Sequence, residues 1–156
     1  MSRQSGFTLL EVLVALVVVT IGLLGVVSLY AAGIASTQQS TFATRATVFA
    51  QDIADRMRAN PDGVAAGVFD AIDHPSDGGE APANCRTQSC AADELAYFDA
   101  YRWDERLSES LPSGSGGLAC NDAPCQPDSD YTVTIRWREK MSDGFADQAY
   151  ETVITP

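Results

Sequence analysis

Positive charge and histidine are scarce in this chain. Its 156 residues hold 10 lysines and arginines against 21 aspartates and glutamates, a formal net charge of −11. A surface of that sign repels phosphate and anionic headgroups, which argues against nucleic acid or anionic lipid as a direct partner. The single histidine, His74, lies in a Pro/Gly/Asp-rich stretch, where a solvated side chain is its simplest reading. No convergent set of nucleophile, base and orienter can be assembled around it, so no catalytic residue is assigned and an enzyme is not expected. The same shortage bears on metals. The four cysteines form two C-x4-C pairs rather than the usual C-x2-C, and neither pair has a histidine nearby, so zinc is disfavoured and no metal or cofactor is assigned.

What the chain does have is apolar length. Gly6-Phe7-Thr8-Leu9-Leu10-Glu11 runs into the uncharged stretch Val12 to Val27. That stretch exceeds the roughly 7–15 residues of a secretory signal core. About 20 apolar residues span a bilayer as a helix, and Arg3 would hold the N-terminus in the cytoplasm. A plain anchor nevertheless leaves Glu11 unexplained, because an ionised side chain inside a membrane helix costs a few kcal/mol and calls for a partner.

The whole string resembles a type IV prepilin leader: a short polar start, Gly6, Phe7, Glu11 as the fifth residue counted from Phe7, then the long apolar helix. The resemblance implies that a membrane prepilin peptidase cuts between Gly6 and Phe7 and methylates the new amino group. Residues 1–6 are then the leader, 7–30 the transmembrane assembly helix, and 31–156 a head that includes the amphipathic half of the long helix. Cleavage removes Arg3, so the mature side chains sum to −11 − 1 = −12. The expected fold is α+β and pilin-like, a long N-terminal helix packed on a small antiparallel sheet. The expected location is the inner membrane, single-pass with a periplasmic head, and the pilus after assembly.

Cys85, Cys90, Cys120 and Cys125 all follow the membrane segment and so fall outside the cytoplasm, where disulfides persist. Four cysteines permit three pairings, and the local pairs Cys85–Cys90 and Cys120–Cys125 are favoured. Past Tyr30 the helix continues without a breaker: Phe42, Ala46, Phe49, Ile53 and Met57 form a stripe at spacings of three and four, and Asn60-Pro61 ends it. A short helix is expected near Val64–Ile72 and a longer one over Ala91–Leu111. Tyr131 to Arg138 and Tyr150 to Thr155 alternate as strands, joined by a longer loop holding the turn signal Asp143-Gly144. A third strand is expected around Leu118–Cys120, and the Phe42–Met57 stripe is the natural cover for the sheet.

Asp93, Glu94, Asp99, Asp104, Glu105 and Glu109 read as the wet face of the second long helix. Asp122, Asp128 and Asp130 are oxygen-rich but lack the glycine and terminal glutamate of a calcium loop.

The head motifs Asp55 to Pro61, Leu111-Pro112 with its glycines, and the Tyr131–Trp137 strand are similar to one subgroup of the family, the PilV minor pilins or type IV pilus modification proteins. That similarity implies a complex with other minor pilins that primes assembly of the major pilin. Two other readings stay open: a type II secretion pseudopilin, and an adhesive pilus-tip module binding through Asp70–Asn84 or Cys120–Asp130.

Overall fold

The computed structural model describes residues 8–77, 82–141 and 144–156. The order is α1 (Leu9–Ala59), α2 (Pro61–Ala65), β1 (Ala71–Asp73), α3 (Ala92–Ser110), β2 (Ser115–Cys120), β3 (Tyr131–Met141) and β4 (Gly144–Ile154). Two compact units divide the chain, residues 1–40 and residues 41–156. The first is the apolar part of α1. The second is the head, which holds the rest of α1 and everything after it. This is the expected α+β pilin-like architecture, and α1 stays helical through Gly22, Gly25 and Gly33.

Inside the head, α1 ends where Asn60 meets Pro61, and a new helix starts at once. Asn60 accepts the Gly63 N–H on its side chain, capping α2, and donates its amide to the Ala92 carbonyl at 2.7 Å, tying α2 to α3. Gly63 permits this contact, because a Cβ there would stand 2.8 Å from that of Ala96. The short helix therefore lies earlier than the expected Val64–Ile72, since proline at the first turn and the Asn60 cap nucleate it immediately. Gly67, at φ +74°, follows it, and Ile72 goes into β1 opposite Leu118.

The sheet is antiparallel throughout in the order β1-β2-β3-β4. Strands β3 and β4 pair residue for residue from Tyr131↔Ile154 to Met141↔Gly144, with no bulge. The hairpin is thus longer than expected. The alternation of β3 continues past Arg138, and the strands are joined through residues 142 and 143 rather than by a long loop, so Asp143 of the expected turn lies outside the described residues. Likewise β2 begins at Ser115, inside the glycine tract. Gly116 makes that possible, since a Cβ there would sit 2.2 Å from the Trp103 ring.

Tyr131, Val133, Ile135 and Trp137 point inward and are buried, as the period of two requires. They share one core with Ala46, Phe49, Ile53 and Met57 of α1 and with Trp103 and Leu107 of α3. Trp103 also donates its indole N–H to the Phe49 carbonyl at 2.9 Å, so its polar edge is satisfied inside that core.

Candidate functional site

The first unit is built around one end of α1. Thr8 caps the helix: its hydroxyl accepts the Glu11 N–H at 3.3 Å and its carbonyl accepts the same group at 3.1 Å. Thr8-Leu9-Leu10-Glu11 has the S/T-x-x-E spacing of a capping box, a local signal for a helix start at this point. It places the Glu11 carboxylate in the first turn, where the helix dipole favours negative charge. Gly6 and Phe7, the expected processing pair, lie outside the described residues.

Behind Glu11 every described side chain from Thr8 to Ile34 is exposed. The hydroxyls in this run turn back onto the helix, Thr20 to the Val17 carbonyl at 2.8 Å and Ser28 to the Gly25 carbonyl at 3.1 Å. The polar groups are thereby satisfied within the helix, leaving an apolar surface. By length and composition α1 is long and apolar enough to cross a membrane.

The head places the other expected residues as follows. Disulfides join Cys85 to Cys90 and Cys120 to Cys125. On α3, the Glu94 carboxylate accepts the Ala91 N–H at 2.9 Å, Asp99 meets Arg56 of α1 at 2.6 Å, and Glu105 pairs with Arg102. Asp93 and Glu109 are exposed.

Asp104 is the exception to the wet face. It is fully buried; one oxygen accepts the Gly116 N–H at 2.7 Å and the other accepts the Ser76 hydroxyl and N–H at 2.6 and 3.1 Å. Its position between Trp103 and Leu107 of the buried stripe was a sequence signal for this burial. His74 Nε2 stands 3.6 Å from the same carboxylate and remains partly exposed.

Near the second disulfide, Tyr131 donates to Asp70 at 2.8 Å, and burial first, then the Asp70 carboxylate, pushes its hydroxyl pKa above the ordinary 10.0. Asp70, Cys120 and Cys125 converge, but both sulfurs are committed to the disulfide and are not free thiolates. Among the described residues, Asp122, Asp128 and Asp130 gather into no such group. Asp130 instead accepts the Thr155 hydroxyl at 2.6 Å, pinning the end of β4.

Two family models match in succession: the prokaryotic N-terminal methylation motif over residues 1–27, and type IV pilin Tt1218 over residues 28–101. Neither a curated protein nor a solved structure matches the chain. The matched segments run through the apolar helix and the head elements up to Tyr101 in α3, and the long helix over a four-stranded antiparallel sheet is consistent with a pilin fold. Together the two models cover residues 1–101 and show a type IV pilin with an N-terminal methylation motif, the signal for prepilin processing.

Proposed function

We propose that the protein is a PilV-type minor pilin that joins other minor pilins in the inner membrane and primes assembly of the major pilin. The observation that supports this reading is the exposed apolar helix that carries a single carboxylate, Glu11, in its first turn. Cleavage between Gly6 and Phe7 creates an ammonium group at Phe7. When the helix moves from lipid into a bundle of like helices, the Glu11 carboxylate pairs with the Phe7 ammonium of its own or a neighbouring subunit. Such a pair offsets desolvation, and breaking it in low dielectric costs several kcal/mol, so only correctly staggered subunits are admitted. The apolar surface from Leu13 to Leu29 supplies most of the contact area.

Three measurements test this reading. Gly6→Ala leaves an unprocessed precursor; a normal Phe7 N-terminus in that variant, read by mass spectrometry, defeats the peptidase step. Glu11→Val still inserts but enters filaments poorly, and normal incorporation defeats the pairing step. Deletion of the gene reduces surface pili and twitching. If pili persist while exoprotein secretion fails, the chain serves a type II secretion pseudopilus instead.

A further inference from the structure

In a chain this acidic, a guanidinium without a carboxylate is an anomaly. Among the described arginines, Arg45, Arg56, Arg58, Arg102, Arg106, Arg136 and Arg138 each meet a carboxylate or a backbone carbonyl. Among the described residues, the guanidinium of Arg86 has no such partner. It stands on the small loop closed by the Cys85–Cys90 disulfide, beside a pocket of about 310 Å³ between that loop and α3. The loop is ordered by Asn84, whose side-chain oxygen accepts the Arg86 N–H at 3.2 Å and whose carbonyl accepts the Thr87 N–H at 3.0 Å. The opposite wall is one face of α3, with Phe98, Tyr101, Arg102 and Glu105 at spacings of three and four.

This combination is selective. The volume lies at the small end of the roughly 300–1,000 Å³ range of ligand pockets. Phe98 and Tyr101 offer aromatic surface, against which the C–H face of a sugar ring packs, and the Asn84 amide offers a hydrogen-bonding group suited to ring hydroxyls. Glu105 would repel an anion, but Arg102 neutralises it on the same wall. Arg86 is left as the uncommitted positive group, with the planar fork that matches a carboxylate.

We propose that this pocket binds a carboxylated pyranose, with Arg86 holding the carboxylate, Tyr101 packing on the ring and Asn84 contacting a hydroxyl. Such sugars occur in surface polysaccharides, and the head would thereby recognise an acidic glycan independently of how its helix assembles.

The test uses the full chain in a polyoxyethylene detergent, which carries no sugar, titrated with D-galacturonate, D-galactose and acetate at low salt by saturation-transfer NMR. Galacturonate is expected to saturate, with galactose and acetate at least about tenfold weaker, because each lacks one of the two recognition elements. Arg86→Gln and, separately, Tyr101→Ala are each expected to weaken galacturonate by about tenfold or more; Arg86 is exposed, so its replacement leaves the fold intact. Absence of saturable galacturonate binding overturns the proposal, as does unchanged binding by Arg86→Gln. Acetate binding as tightly as galacturonate would mean a simple anion site, and equal binding of galactose would mean that Arg86 is not used; either result also overturns it.

Discussion

Replacing Asp104 tests how the head is held together. The carboxylate joins three elements: α3, which carries it, the segment after β1 through Ser76, and β2 through Gly116. Its three donors are unequal. Ser76 is only partly buried, so water can replace the lost acceptor there. The Gly116 N–H is buried beneath Trp103 and has no alternative. In Asp104→Ala, stranding that donor costs about 1–3 kcal/mol, and losing the charge-assisted bonds to Ser76 adds about 1–2 kcal/mol after rehydration. Relief of carboxylate desolvation offsets part of this, so a net loss of about 2–4 kcal/mol is expected. Asp104→Asn keeps an acceptor for Gly116 but turns an amide N–H toward the Ser76 N–H, and about half that loss is expected. Guanidinium unfolding of the full chain in detergent, followed by tryptophan fluorescence, measures both, with Trp103 adjacent to the altered site. Amide exchange at Gly116 should quicken in Asp104→Ala. A loss below about 0.5 kcal/mol in that variant, with Gly116 exchange unchanged, would refute the reasoning.

A second buried carboxylate should behave in the opposite sense. Glu139 is 6% exposed and neither of its oxygens has a hydrogen-bond partner among the described residues, so Glu139→Met should raise stability by about 1–3 kcal/mol in the same unfolding assay, and a loss would contradict its isolation. Tyr131→Phe removes the bond to Asp70 and should cost about 1 kcal/mol at neutral pH. Because the folded-state pKa of Tyr131 is raised above the ordinary 10.0, its contribution is complete below pH 10 and declines as pH rises from there toward the folded value. Unfolding free energy measured up the alkaline range should therefore fall more steeply in wild type than in Tyr131→Phe. Opening the small Cys85–Cys90 ring with Cys85→Ser and Cys90→Ser should cost roughly 2 kcal/mol, and peptide mapping of the non-reduced variant should still find Cys120–Cys125.

Features written in short-range periodicity were legible without a structure. The apolar run behind Glu11, the stripe from Phe42 to Met57 and the alternation from Tyr131 to Trp137 each state their geometry within a few residues, since a helix repeats every 3.6 and a strand every 2. A glycine signal misled where distant packing had the deciding vote. The third strand was expected only around Leu118–Cys120, because glycine disfavours strands, but β2 begins at Ser115, where the Trp103 ring above Gly116 leaves room for nothing larger. Strand β1 has only three residues and no pattern of its own, and it exists because β2 offers an edge to pair with.

The sequence by itself therefore determined the N-terminal methylation motif and the apolar helix that carries Glu11, because both are written in one contiguous string whose chemistry is local. Only the tertiary structure decided which acids are solvated and which are structural, and which of the described arginines stays uncommitted. Asp104 and Glu105 are neighbours on one helix, yet one accepts three hydrogen bonds in the core while the other pairs with Arg102 at a pocket rim. The physical reason is that burial and partnership are properties of what packs across from a residue, and those partners, Ser76, Gly116 and Trp103 among them, arrive from elsewhere in the chain.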